Sequence, residues 1–134
     1  MRTDPLKAAL AALVIVHLAV TVVHGVAHSG AHVSLTPVAL AFVILVIQLG
    51  PVIGLVLARA RPRVGAAVVA ASMAGALLFG VINHFVLLGS DHVSQVDAGW
   101  RVLFGSTAAL LALIEAAGTI VGAVAVRRYA RRLS

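Results

Sequence analysis

The residues able to do chemistry in this sequence of 134 residues are mostly histidines, and four of the six crowd into one stretch. His17, His24, His28 and His32 stand seven, four and four residues apart in HLAVTVVHGVAHSGAHVS. At about 100° per residue they fall on one helical face, so a helix here carries an imidazole stripe. The flanking residues are Val, Ala, Leu and Ile, and an imidazole on an apolar rod is costly unless something binds it. His84 and His92 lie further on with Asp91 beside them, and Glu115 sits alone within a long apolar run. A carboxylate in such a place must be neutral, paired or wet.

With no cysteine in the chain, disulfides, thiolate ligands and thiol nucleophiles are excluded. Clustered imidazoles with a carboxylate suit a transition metal ion, namely copper, zinc or iron, whereas magnesium and calcium want mainly oxygen ligands. The expected ligand set is His24, His28, His84 and Asp91, with His32 and His92 as loop-borne additions. Asp91 falls about 20° from His84 round a helix, if the helix extends that far. HExxH is absent, as is the carboxylate-rich pattern of di-iron bundles. Haem b is the alternative cofactor, with His24 and His84 as axial ligands and Arg101 near a propionate. A third reading has no cofactor at all: a structural or assembly subunit whose polar residues only specify packing. No nucleophile with a base and no phosphate loop names a reaction, so enzyme status stays open.

These residues must be positioned by elements that cross a membrane. The chain is 62% hydrophobic and 10% charged, with a mean hydropathy of +1.13, far from the roughly 25% charged residues of a soluble domain. Four apolar segments, about 6–28, 38–58, 64–89 and 100–126, are each long enough to span a bilayer. The expected fold is an all-α integral membrane protein, an up-down-up-down four-helix transmembrane bundle forming one domain over residues 1–134. The net charge of +6 comes from basic residues gathered at segment ends: the first residues, RARPR at 59–63, and RRYARRLS at the end. The positive-inside rule explains these without nucleic acid and places both termini on the cytoplasmic side of the cell membrane. Gly50-Pro51 predicts a kink, Asn83 a bond between helices, and Trp100 an interfacial anchor. Gly118 and Gly122 form a small-residue face suited to close packing, including with a second copy or a complex partner.

Two regularities relate the polar residues to one another. His24 precedes His32-Val33-Ser34 by eight residues and His84 precedes His92-Val93-Ser94 by the same interval, an offset of 60 that is consistent with a duplicated two-helix hairpin. Counting ~1.5 Å per residue from the basic ends puts His24 and His84 both roughly 27–30 Å up. The same count puts His17, Gln48 and Glu115 together at roughly 16–18 Å, near the bilayer midplane. His24 and His84 are therefore expected to face each other across the bundle, with Glu115 bonded below them to His17 as a proton relay or to Gln48.

Overall fold

The computed structural model describes residues 4–131, which form four helices and no strand. The basic residues Arg2 and Arg132 at the two extremes lie outside the described residues. Helix α1 is Pro5–Gly30, α2 is Pro37–Ala60, α3 is Pro62–Val86 and α4 is Arg101–Ala130, and each is long and apolar enough to cross a membrane. Helix starts follow local chemistry. Asp4 accepts the amide of Leu6 at 3.0 Å and Thr36 accepts that of Ala39 at 3.2 Å, each just ahead of a proline that fixes the first helical φ. A single non-helical residue, Arg61, joins α2 to α3, and Pro62 restarts the helix at once.

Two stretches depart from α geometry. Residues 43–49 of α2 are wound as a π-helix immediately before Gly50-Pro51. Pro51 has no amide to donate, and its ring crowds the carbonyl one turn back, so the expected kink is realised as a widened turn. The last turn of α3, Ile82–Val86, is also π-wound and closes on a bond from the Leu87 amide to the Ile82 carbonyl at 2.8 Å. This helix therefore stops at Val86, not near Gly89. Asn83 turns its amide group onto the Phe79 carbonyl of its own helix at 2.8 Å instead of bridging to a neighbour.

Helix α4 packs along both α1 and α3, and α2 packs along α3. Helices α1 and α3 are thus diagonal, while α1 meets α2 mainly through the Gly50–Ala60 half. Small residues set the tight pairs. A Cβ at Gly54 would come within 2.8 Å of the Val69 amide nitrogen, and one at Gly122 within 2.8 Å of the Ala70 side chain. Gly118 and Gly122 are buried against α3, so the face expected to receive a partner is spent inside the chain. The tight α3/α4 hairpin and the splayed α1/α2 hairpin are not packed alike, and their connections differ in length, which leaves the 60-residue offset a feature of sequence only.

The interior divides in two. Toward the termini, Leu10, Val14, Val69, Met73, Ala125 and Tyr129 form a packed apolar core. At the loop end Ala27, Val96 and Phe104 form a smaller one, with Trp100 and Val33 against it. Trp100 lies over Gly30, where a Cβ would strike its indole, so it closes the bundle end as well as marking it. All the buried imidazoles lie between these two cores.

Candidate metal centre

His24 and His28, one turn apart on α1, meet His84 from the end of α3. The three side chains offer nitrogens that all lie within 4.8 Å of one another. His24 Nε2 and His84 Nε2 are 3.3 Å apart. The rings sit edge to face, with centroids 4.8 Å apart for His24 and His28 and 5.0 Å for His24 and His84. Phe104 packs on all three, at 4.8 to 5.1 Å between centroids. It is fully buried and walls the cluster off from the loop end.

The hydrogen-bond partners fix which nitrogens carry protons. Thr107 Oγ1 lies 2.6 Å from the Leu103 carbonyl and donates its only hydrogen there, so toward His24 Nδ1, at 2.8 Å, it must accept. His24 therefore bears its proton on Nδ1. His84 Nδ1 faces the Asp91 carbonyl at 3.1 Å and the Asp91 carboxylate at 3.2 Å, both of them acceptors, so it too is protonated on Nδ1. In the neutral tautomers the two Nε2 atoms then both carry lone pairs, on buried rings whose Nε2 atoms stand 3.3 Å apart. Two facing lone pairs repel unless a cation or a proton lies between them. His28 places Nε2 3.3 Å from Asp91 Oδ1, and its Nδ1 is buried without a partner.

Asp91 reaches this cluster by a route different from the one its spacing suggests. The chain leaves α3 at Leu87, turns, and returns so that the Val93 amide bonds the His84 carbonyl at 3.0 Å. That fold-back lets the Asp91 carbonyl accept from His84 and lays its carboxylate 3.2 Å from His84 and 3.3 Å from His28. His32 and His92 are not drawn in. His32 is exposed at the turn after α1 with a left-handed φ of 54°, and His92 bonds Ser94 Oγ at 2.8 Å on the loop. Arg101 folds back on its own loop, donating to the Val96 carbonyl from Nε at 3.2 Å and Nη2 at 3.0 Å. Its guanidinium is therefore engaged away from the imidazoles.

Below the cluster, His17 Nε2 lies 3.1 Å from Glu115 Oε1, both side chains buried, and His17 Nδ1 has no partner. Gln48, expected at the same level, makes no bond to Glu115. It is exposed on the wall of a cavity of about 510 Å³ that Glu115 also lines, together with all three clustered histidines and Asp91. No protein family, curated protein or solved structure matches this chain. Its chemistry is therefore read from the geometry alone. Two contributors were missed in the sequence, Phe104 and Thr107. Phe104, Thr107, Leu111 and Glu115 follow one another at the i, i+3, i+7, i+11 spacing of one α4 face, so the signal was a helical stripe leading away from the carboxylate.

Proposed function

We propose that this protein is a small multi-pass membrane metalloprotein in which His24, His28 and His84 hold one transition-metal ion, leaving a fourth position open to the cavity. The observation that carries this reading is the pair of facing Nε2 lone pairs at 3.3 Å, each fixed by a donor bond from the same ring's Nδ1. Two nitrogens on one tetrahedral zinc, at ~2.0–2.1 Å from the ion, stand about 3.3–3.4 Å apart. Outer acceptors of this kind, here Thr107 and Asp91, are what orient metal-bound imidazoles and set their tautomer. The donor set suits zinc, copper or iron, and the separation favours a tetrahedral shell. Three protein ligands with an open position is the arrangement of reactive metal sites, whereas purely structural ones are closed by four.

Haem b is poorly served by the same geometry. Axial ligands on opposite sides of a macrocycle must stand about twice a metal–nitrogen bond apart, ~4 Å, with the ring plane between them. Here the two nitrogens are closer than that, and His28 and Phe104 crowd the same space. Arg101 is also committed elsewhere. The basic residues Arg59, Arg61, Arg63, Arg127 and Arg128 share the end carrying the termini, so this end faces the cytoplasm and the metal lies toward the outer side. Elemental analysis with an absorption spectrum of the purified protein tests the proposal. The expected result is about one equivalent of metal without a Soret band. A metal-free protein would leave the subunit reading standing, and a Soret band would establish haem.

A further inference from the structure

The cavity has two chemically different poles and is closed toward the termini. At one pole are the three imidazoles, and at the other is Glu115, whose Oε1 is held by His17 and whose Oε2 is left for the cavity. The wall between them is apolar, formed by residues such as Ile47, Ala76, Ala108 and Leu111. The packed core around Leu10, Val69 and Met73 blocks any path from the termini end, while at the loop end the cavity is walled by the α1–α2 connection from Val33 to Leu35 and by Asp91. A proton relay running onward from His17 toward the termini would have to cross that dry core. The dyad therefore serves the cavity.

The opening lies on the side. Cavity residues of α3 and α4 such as Ala76, His84, Ala108 and Glu115 are buried, whereas Gly25 and Ser29 of α1 and Leu40 and Gln48 of α2 are exposed. The mouth is thus the slit between α1 and α2, which diverge above Gly50. In a bilayer this slit faces hydrocarbon, so what enters through it must be soluble in lipid. His17 and His24 are seven residues apart, which separates the two poles by ~10 Å along the helix. A metal–oxygen bond of ~2 Å at one end and a hydrogen bond of ~2.8 Å at the other leave about 6 Å between the ligand's two polar atoms. A single six-membered ring bearing oxygens at opposite positions has this span.

We infer that the cavity is a binding site for a lipid-borne, para-dioxygenated ring of the quinone and hydroquinone class, entering between α1 and α2, with one oxygen on the metal and the other at Glu115. The inference rests on the metal reading for one of its poles. Gln48, exposed at the mouth and unbonded, is placed to contact the same ring as it passes.

The test uses the full chain in lipid nanodiscs, loaded with zinc, and measures saturable binding of decyl-substituted benzoquinone and its reduced form against decanoic acid. Zinc content is determined on the same samples. The expected result is one quinone per chain, with decanoic acid failing to compete. Glu115→Leu, which can neither donate nor accept, is expected to weaken binding about tenfold, the loss of one good hydrogen bond, with zinc retained, whereas Glu115→Gln, which keeps an acceptor and gains a donor, is expected to stay within about threefold. Ala112→Phe, which puts a ring into the cavity wall, is expected to abolish binding with zinc retained. If that variant fails to fold, Leu40→Trp at the exposed mouth replaces it and is expected to slow or block access. Retained zinc with no saturable quinone binding would overturn this inference and leave the metal reading intact. So would equal binding of decanoic acid, or binding unchanged in the cavity-filling variants. Zinc lost from the native chain would overturn the metal reading separately.

Discussion

Thr107→Val is the substitution that tests the tautomer argument most directly. The change keeps the shape of the side chain and removes one hydroxyl at a buried position, Thr107 being 8% exposed. It deletes the acceptor 2.8 Å from His24 Nδ1. The imidazole then has two choices. It can keep its proton on Nδ1, leaving a buried donor unpaired at a cost of about 1–3 kcal/mol. Alternatively it can move the proton to Nε2, where it faces His84 and must be displaced before a metal can bind. Either way the cost falls on the metal-bound state, and outer-shell changes of this type lower affinity by about 10–100-fold, which is about 1.4–2.7 kcal/mol. The two ranges agree. Thr107→Ser keeps the hydroxyl and is expected to stay within about threefold of the native protein. The assay is competition for zinc against a chromophoric chelator in detergent, with helicity checked on each sample. Native affinity in Thr107→Val, or equal losses in the Val and Ser variants, would refute the assignment of Nδ1 as the donor and of Nε2 as the ligand atom.

Four further outcomes follow from the same geometry. His84→Ala, and separately His24→Ala, should lose the metal, while His32→Ala and His92→Ala, outside the cluster, should retain it, as elemental analysis of the four variants will tell. Glu115→Leu strips the His17 imidazole of its partner among the described residues and should lower stability by about 1–3 kcal/mol in denaturant unfolding, while Glu115→Gln keeps an acceptor and should cost well under half of that; equal stabilities would mean the His17–Glu115 bond is not formed. Gly118→Leu must push Met73 aside, since a Cβ there already comes within 2.9 Å of its Cγ, and should cost about 1–3 kcal/mol by separating α3 from α4; an unchanged melting temperature would argue against this helix pairing. A cysteine introduced at Ser94 should be labelled by impermeant reagent from the outer side only, and labelling from the cytoplasmic side would reverse the orientation.

The polar residues that the sequence could pair were those governed by rise per residue alone. His24 and His84 were matched by depth, His84 standing only three residues beyond the regular part of α3, and they meet at 3.3 Å. His17 and Glu115 were matched in the same way and meet at 3.1 Å. Gln48 was matched too, yet it lies in the π-wound stretch 43–49, where each residue advances less around the axis than the α count assumes. Its depth was legible and its facing was not. Asp91 shows the opposite case. Its expected position assumed that α3 continued, and it reaches His84 only because the chain breaks at Leu87 and folds back. A loop path of this kind is set by tertiary bonds such as Val93 to His84, for which no periodicity exists to read. Gly118 and Gly122 were correctly seen as a close-packing face. Nothing in a small-residue motif distinguishes a neighbour in the same chain from one in another.

The division of the bundle explains how a hollow, polar site can sit in so small a chain. Helix association in lipid draws on packing and not on hydrophobicity, so a cavity between helices forfeits contacts that lipid-facing surface does not replace. Here the loss is confined to the loop-side half and to the α1/α2 slit, while α4 stays in contact with both α1 and α3 along the chain. The termini half, dry and lined with glycine and alanine at Gly54, Gly65 and Ala66, carries the tight contacts instead. A second compensation lies in the site itself. His24 and His84 come from diagonal helices that share no other extensive contact, so an ion bound between them would tie together corners that packing leaves apart. Asp91 adds a hydrogen bond from the loop to α3 and a close carboxylate approach to His28 of α1. Metal binding on this reading closes the one part of the bundle that side-chain packing leaves open, and the ion's affinity becomes part of the stability of the fold.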